Sequence, residues 1–436
     1  MTPRAGAALV CVAVPGAFAT AFCATFQFDD AHTVVDNPQV HSWPAWAASL
    51  PAIRALTKAS FVASRTIADA PWSFVLVSVL LHVLAALVAF HLARRWLPAL
   101  GVAPDRAQTA ALTAALVFAL HPAQTEAVTY VSGRSIVLAG LLSLCALVAH
   151  ERWRDDRARQ GALALSLLSF ALALAARETA WTVPWAILLL AIARGASWRA
   201  ALRESLPHFT VLAAAIVAIA ASPTYRRLLR ESLATRGPLE NLYGQVEGIF
   251  YLVTRPLATL RVNFDPDVRV PATPDAGWVF AAVAIVLAIA VGLWQLRRRP
   301  WLGVGILWFF LQLAPTNGPV ARYDLVNDRQ LYLALLGPAI CAGVVLSRVR
   351  MHVAATAAFV AALAVATLVR NLDYASELAL WQETARASPQ KSRPWNNLGW
   401  ALLQQGRRDE AREAFQRALA LDPANFRARA NLEALR

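Results

Sequence analysis

The chain has 436 residues, of which 58% are hydrophobic, and its mean hydropathy is +0.47. This hydrophobicity is too high for a soluble enzyme of this length and predicts a membrane protein. The net charge of +14 comes almost entirely from arginine, because Lys58 and Lys391 are the only lysines. The arginines cluster at the ends of apolar runs, as topology signals do, which argues against nucleic-acid binding. The four cysteines lie in or beside apolar runs and indicate neither a disulfide framework nor a metal site.

Taken in chain order, the apolar runs predict an all-α, polytopic membrane helix bundle with about eleven spans. The first run, 5–26, has a signal peptide as its alternative, since Arg4 precedes it and small residues end it. We interpret it as a span because of its length. The weaker segment 243–260 contains Glu247 and Arg255 and is predicted to be a half-inserted or surface helix. The other predicted spans are 72–92, 108–121, 131–149, 162–177, 179–193, 206–222, 276–296, 301–315, 330–347 and 352–369.

Arginine placement predicts the sidedness of these spans. The arginine-rich segments should be cytoplasmic, and they lie at 91–96, 150–159, 193–199, 297–300 and 347–350. A cytoplasmic N-terminus satisfies all of them if 243–260 does not cross the membrane. The opposite, external side then carries the first loop, 27–71, and the C-terminal tail. We therefore predict a membrane domain at 1–370 and an external module at 371–436.

The first external loop opens with two adjacent aspartates in the sequence FQFDDAHTVVDNPQV. Asp29 and Asp30 stand just past the first span, where a carboxylate stays ionised and still reaches a lipid-borne substrate. Either is a candidate general base for glycosyl transfer to a hydroxyl, and together they are candidate ligands of a divalent cation. The alternative is an ordinary solvated start of a loop.

A second polar motif, HPAQTEAVTYVSGRS at 121–135, separates two predicted spans. It places His121, Glu126 and Arg134 around a short turn, and Pro122 ends the preceding helix. Arg134 falls inside the next apolar run, where a buried arginine needs an anion such as a lipid phosphate. The alternative is a salt bridge between Arg134 and Glu126.

Two further motifs supply candidate phosphate ligands. In AARETAW, Arg177 either pairs with Glu178 or faces a phosphate while Glu178 orients it. In YDLVNDRQLYL, Arg329 is the third candidate ligand and Asp328 stands beside it. The sequence has no glycine-rich phosphate loop, metal-ligand spacing or nucleophile elbow, which disfavours ATP-driven transport.

The tail changes to the composition of a soluble helical module. Residues 392–425 follow the 34-residue tetratricopeptide pattern, with matches at Trp395, Leu398, Gly399, Leu402, Ala411, Phe415, Ala418 and Pro423. Residues 371–388 resemble the second helix of an incomplete earlier repeat, and 425–436 resemble a capping helix. The module is either a structural cap or a docking surface for a protein partner.

The motifs together resemble a known family. FDD after the first span, HPAQTEAVTYVSGR, the RET turn, LAPTNGPVARYDLVNDRQLYL and the tetratricopeptide tail occur in this order in the transmembrane and tetratricopeptide-containing O-mannosyltransferases and their bacterial relatives. The resemblance covers nearly the whole chain. It implies a GT-C glycosyltransferase that uses a polyprenyl-phosphate sugar on the non-cytoplasmic side. It also implies that Asp29 is the catalytic base, with Asp30 as its partner.

Alanine-rich, arginine-over-lysine usage predicts a GC-rich bacterium, hence an inner-membrane protein with a periplasmic module. The donor is then a polyprenyl-phosphate hexose, with mannose suggested by analogy, and the acceptor is a protein or glycan hydroxyl. One alternative function is a non-catalytic membrane scaffold that works through its tetratricopeptide module. Another is a flippase for a lipid-linked sugar, which is disfavoured because the polar residues collect near one face.

Overall fold

The structure is a computed structural model that describes residues 2–258 and 262–435. These ranges form helices and connecting segments and contain no β-strand, so the predicted all-α class is confirmed. The end of the predicted surface helix 243–260 and the last residue of the predicted module 371–436 lie outside the described residues.

The α-helices follow one another with short connections. The helices that begin before residue 200 are α1 (Pro3–Ala17), α2 (Trp43–Ala48), α3 (Ala55–Ile67), α4 (Pro71–Ala99), α5 (Pro104–Leu120), α6 (Thr125–Val128), α7 (Arg134–Asp155), α8 (Gln160–Ala176), α9 (Val183–Ala193) and α10 (Trp198–Ala221). The later ones are α11 (Pro223–Thr235), α12 (Pro238–Thr254), α13 (Ala276–Arg298), α14 (Pro300–Leu313), α15 (Leu331–Ala334), α16 (Leu336–Leu346), α17 (His352–Asn371), α18 (Glu377–Ala387), α19 (Ser392–Gln404), α20 (Arg408–Leu421) and α21 (Phe426–Glu433). Turns of 3-10 helix lie at Ala19–Cys23, Pro38–Val40, Pro122–Gln124, Val131–Gly133, Glu178–Thr182, Asp328–Gln330 and Leu372–Ala375, and a π-helical turn at Ala31–Val35.

The long apolar helices make the chain a multi-pass membrane protein. Within the described ranges, 6 helices are long and apolar enough to cross a bilayer, or 7 if the pair Asp328–Ala334 and Leu336–Leu346, bent by 57°, is one span. Every predicted apolar run is helical. Three further apolar helices, Gln160–Ala176, Glu178–Ala193 and Pro300–Leu313, are shorter. A 17-residue helix is about 25 Å long against a hydrocarbon core of about 30 Å, so the predicted count of about eleven spans stays a prediction.

Helix α5 is the central element of the bundle. It packs against α1, α4, α16 and α17, and nearly all of its side chains after Arg106 are buried. Its alanines let α16 approach closely. A Cβ on Gly343 of α16 would lie 2.3 Å from the carbonyl oxygen of Ala110, so only glycine fits there. Small residues at such crossings give membrane helices their packing contacts.

The C-terminal module is a helical hairpin with flanking helices. Helices α19 and α20 pack together, with α18 on one side and α21 on the other. Gly399 faces Phe415, whose ring would lie 2.7 Å from an added Cβ, so this glycine lets the two helices meet. Gly406 turns the chain between the helices with φ +76°, a conformation that favours glycine.

Candidate active site

The two adjacent aspartates face different surroundings. Asp30 is completely buried, and its carboxylate accepts hydrogen bonds from the backbone N–H of Gln27 (3.0 Å) and from the N–H and hydroxyl of Ser132 (2.8 and 2.5 Å). Burial raises the pKa of Asp30 to about 7, although the hydrogen bonds from Ser132 oppose this shift. Asp30 thus ties the first loop to the turn before α7. It does not share an open site with Asp29.

Asp29 is half-buried and lines a small cavity, which we call the acidic pocket. Its other lining groups include Glu126, Asp265, Arg329 and Arg393. The backbone N–H of Asp29 donates to the Tyr130 hydroxyl (3.0 Å). No hydrogen bond to its carboxylate is found within residues 2–258 and 262–435. Asp29 therefore presents an uncommitted carboxylate to the pocket.

Phe28 holds the backbone before Asp29 in an unusual conformation. Its φ is +42°, in the left-handed region that a bulky residue rarely adopts. The ring is held edge to face by Trp381 of α18 (centroids 5.3 Å apart) and by Phe264 (6.2 Å). Such strain persists only where neighbours enforce it, and it is concentrated at functional sites. The C-terminal module thus helps to shape the loop that carries Asp29.

Arg329 lies between the acidic pocket and a second cavity. Glu126 holds it, because Oε1 lies 3.6 Å from its Nε and Oε2 accepts its backbone N–H (3.0 Å). The guanidinium also lies over the Tyr130 ring, 5.7 Å from the centroid. Burial raises the pKa of Glu126 to about 8, although Arg329 opposes the shift. Glu126 therefore acts as a positioning partner for Arg329, not for Arg134 as the salt-bridge alternative proposed.

The second cavity, which we call the arginine cavity, is lined by Arg177 and Arg329 together with Gln312, Thr316 and apolar side chains of α7. Arg177 is 9% exposed and donates to the Ser135 hydroxyl (2.7 Å), while its Nε is buried without a partner among the described residues. Burial lowers the pKa of Arg177 well below its usual value, and the positive charges of Arg54, Arg329 and Arg322 lower it further. A site with this surplus of positive charge suits an anion.

Arg177 and Glu178 do not form the ion pair that one interpretation predicted. The Glu178 carboxylate instead accepts hydrogen bonds from Arg54 (3.1 Å) and from the hydroxyl of Tyr225 (2.7 Å). Arg177 is thereby left to face the cavity. Glu178 thus holds Arg54, which lies near Arg177 but lines neither cavity.

Arg134 requires a correction, because the structure does not place it in either cavity. It is completely buried, and its guanidinium donates to the hydroxyls of Ser78 and Ser64 and to the carbonyls of Ser60 and Phe74. It therefore joins α3, α4 and α7 within the protein. We no longer include Arg134 among the candidate phosphate ligands.

His121 and Asp328 hold backbone near the site without lining the two cavities. The Nδ1 of His121 accepts the N–H of Ala123 (3.2 Å). Asp328 is fully buried and accepts from the N–H of Asn263 (2.7 Å) and the hydroxyl of Tyr251 (3.2 Å). Both residues therefore support the backbone near the site.

The structure contains an ion-pair network that the sequence motifs did not predict. Asp265, which is 2% exposed, pairs with Lys391 (2.5 Å) and with Arg393, whose Nη1 also lies 2.7 Å from Asp324. The network joins two loops to α19 of the module. No local sequence pattern predicts this network, because Asp265 and Arg393 are separated by 128 positions.

The pair Asp29 and Asp30 does not fit a shared metal site, because the oxygens of Asp30 are taken by Gln27 and Ser132. Among the described residues, no group of three or more histidine, cysteine, aspartate or glutamate side chains is placed to hold a metal ion.

Comparison with known proteins agrees with the motifs. Residues 392–425 match the family model of the tetratricopeptide repeat. Across 92% of its length the chain is similar to a Caenorhabditis elegans protein named as a protein O-mannosyl-transferase, with 22% identity. Two Drosophila melanogaster proteins, protein O-mannosyl-transferase Tmtc2 and Tmtc1, are 36% identical over 29% of the chain and 35% identical over 26%. No solved structure matches the chain.

These alignments cover 60% of the worm protein and 13% and 12% of the two fly proteins. The chain thus spans less than two thirds of the length of these relatives. The predicted repeat at 392–425 is confirmed, and the similarity supports the resemblance to O-mannosyltransferases. The bacterial source stays a prediction.

Proposed function

We propose that the chain is an integral-membrane glycosyltransferase of the GT-C type. It moves a hexose, with mannose as first candidate, from a polyprenyl-phosphate carrier to a protein hydroxyl on the non-cytoplasmic side. One observation carries the proposal: the free carboxylate of Asp29 and the guanidinium of Arg329 line the same pocket, and Arg329 continues into the cavity that holds Arg177. A base and an anion site are thus adjacent.

The arginine cavity suits the phosphate end of the donor. Arg177 and Arg329 supply two guanidinium groups, and nearby apolar side chains such as Ile136 and Leu333 suit the start of a prenyl chain. Charge-assisted hydrogen bonds of this kind strengthen as negative charge develops on the leaving phosphate.

Asp29 supplies the base. As the acceptor oxygen bonds to the anomeric carbon, Asp29 takes the hydroxyl proton, and the bond to the phosphate oxygen breaks with its electron pair. The phosphate leaves as an anion that Arg177 and Arg329 stabilise. Tyr130 contributes by fixing the backbone N–H of Asp29, and Glu126 by holding Arg329.

The test is sugar transfer from a panel of radiolabelled polyprenyl-phosphate sugars, comparing wild type with Asp29→Asn. Loss of a general base typically lowers the rate by about 10²–10⁴-fold, so transfer should fall by that factor while the folded fraction is unchanged. Asp36→Asn is the matched control, because Asp36 is an exposed aspartate in the same loop. It should transfer as wild type does.

The scaffold alternative predicts a different result. Folded wild-type protein that transfers nothing from any donor, or Asp29→Asn protein with full activity, would contradict the proposal. Variants of the module at Trp395 or Phe415 would then be the ones to impair function. We further propose a bacterial inner-membrane location with a cytoplasmic N-terminus, supported by the arginine cluster at 297–299 between α13 and α14.

A further inference from the structure

Beside the acidic pocket lies a larger cavity, which we call the outer groove. It runs between the C-terminal module and the loop segments 267–270 and 323–325, and its volume is about 420 Å³. The acidic pocket measures only about 10 Å³. A space of about 10–15 Å³ holds a single water molecule. As it stands, the acidic pocket thus admits a water or a hydroxyl, but not a sugar together with its acceptor.

The two spaces share two lining residues, which form an ion pair with each other. Asp324 and Arg393 line both the acidic pocket and the outer groove. The Nη1 of Arg393 lies 2.7 Å from Oδ1 of Asp324, and the two side chains are 23% and 29% exposed. The two cavities are therefore joined whenever these side chains separate.

The geometry makes this ion pair easy to open. Arg393 is also held by Asp265, whose Oδ2 accepts from its Nε (2.6 Å), and Asp265 pairs with Lys391 as well. When Asp324 withdraws, Arg393 keeps a carboxylate partner and Asp265 stays neutralised. Across residues 2–258 and 262–435, no other hydrogen bond joins the segment 315–327 to the module. A partly exposed ion pair contributes little to stability, so opening costs little.

The chemistry of the outer groove favours a polypeptide. Charged side chains of both signs line it, including Arg269 and Asp267 on one wall and Asp422 on the other. Tyr323 presents a ring that is 80% exposed, and Leu421 and Leu325 add apolar surface. Alternating charged, aromatic and apolar contacts complement an extended peptide with mixed side chains better than they complement an uncharged glycan.

We propose that the outer groove binds the acceptor as an extended polypeptide segment, and that the ion pair between Arg393 and Asp324 is the gate through which its serine or threonine hydroxyl reaches Asp29. This inference rests on the proposed glycosyl transfer. It assigns the module a direct part in the reaction, because one half of the gate belongs to α19.

The gate is tested with Asp324→Asn in the full-length protein, using the donor that wild type accepts. We expect donor hydrolysis without acceptor to rise by about threefold to fivefold, the range that loss of a partly exposed ion pair allows. The donor KM should not change, because Asp324 does not line the arginine cavity. Asp324→Glu, which keeps the charge, should restore the wild-type hydrolysis rate.

The groove is tested with Tyr323→Ala, measured against synthetic peptides that contain serine or threonine. Loss of an exposed aromatic contact should raise the acceptor KM by about threefold to tenfold and leave the donor KM unchanged. Phe426→Ala is the matched control, because Phe426 is 73% exposed on α21 and does not line the groove. It should behave as wild type.

The outcomes separate this inference from the proposed function. Normal transfer by wild type, with Asp324→Asn and Tyr323→Ala indistinguishable from wild type, would overturn the gate and the groove while leaving the transferase intact. Transfer to glycans but to no peptide would overturn the polypeptide assignment. Failure of the proposed function itself would show in the comparison of wild type with Asp29→Asn, before any peptide is varied.

Discussion

The two ends of the helix bundle differ in whether a buried arginine has a carboxylate partner. At the end away from Asp29, the carboxylate of Glu151, with its side chain 3% exposed, accepts from Arg194 (2.6 Å), Arg154 (3.1 Å) and Trp96 (3.2 Å). At the Asp29 end, Arg177 donates to the hydroxyl of Ser135, and no carboxylate of the described residues pairs with it. The described residues thus supply a counter-charge for Arg194 but none for Arg177.

This contrast distinguishes arginines that the protein neutralises itself from an arginine that the described residues leave without a counter-charge. A buried charge is costly unless a counter-charge or strong hydrogen bonds accompany it. The end with Glu151 meets this requirement from its own sequence and is complete without a ligand. In the arginine cavity, Arg177 has no carboxylate partner among the described residues, and under our proposal the donor phosphate supplies the counter-charge.

The largest effect is expected from Arg177→Gln. Removing one guanidinium that stabilises the leaving phosphate should lower transfer by about 10²-fold, chiefly through a lower kcat. The thermal midpoint should stay level or rise, because Arg54, Arg322 and Arg329 lose a repelling neighbour. Transfer and unfolding are measured on the same preparation. Arg199→Gln, at an exposed position, is the control; a large loss of stability in Arg177→Gln would contradict the ligand role.

Arg194→Gln tests the opposite end. It removes a 2.6 Å charge-assisted hydrogen bond from buried Glu151, which should lower the free energy of unfolding by about 2 kcal/mol. Turnover per folded molecule should not change, since no substrate group approaches this end. Arg152→Gln, at an exposed arginine in the last turn of α7, should leave both quantities unchanged. Reduced turnover in folded Arg194→Gln protein would remove the distinction between the ends.

The sequence predicted one part of this comparison and missed the other for a physical reason. Long apolar runs locate helices locally, so every predicted run is helical. Whether an arginine is satisfied is a tertiary property. Arg134 forms hydrogen bonds with Ser60 and Ser64 of α3, and no local sequence pattern predicts that α3 packs there. Arg177, by contrast, pairs with no carboxylate of the described residues.

The same reasoning explains the outcome for the acidic residues. The motif around Asp29 and Asp30 located the loop, but the sequence treated the two as partners. Only the folded position of Ser132, about a hundred residues away, shows that Asp30 binds this residue and holds the loop, while Asp29 faces a pocket. Asp265 and Arg393 were missed because their contact depends on how the module docks.

A bound anion should reduce the difference between the two ends. A short-chain prenyl phosphate at ten times its dissociation constant should stabilise the wild type by about 1.4 kcal/mol. The corresponding prenyl alcohol lacks the charge and should do much less. Thermal unfolding in a fixed detergent measures both. Arg177→Gln should lose most of the response to the phosphate, and an equal response of wild type and variant would place the anion elsewhere.

The smallest effect concerns the ion pair between Arg393 and Asp324, a neutralised pair at the Asp29 end that is partly exposed. Burial alone would raise the pKa of Asp324, but Arg393 holds it below its usual value. A carboxylate whose folded pKa is lowered contributes stability that is present above its unfolded pKa, near 3.8, and is lost as the pH falls below it. Because the pair is partly exposed, this contribution is at most about 1 kcal/mol.

Wild type should therefore be slightly more stable than Asp324→Asn at pH 6, and the difference should become smaller as the pH falls from 6 toward 3. Thermal midpoints of the two proteins across this range measure it, with Asp36→Asn expected to follow wild type. A difference of the same size at pH 3 and at pH 6 would mean that Asp324 acts through packing and not through charge. A difference well above that of a surface pair would mean that the contact is too strong to open as a gate, because the acceptor would have to break it in every catalytic cycle.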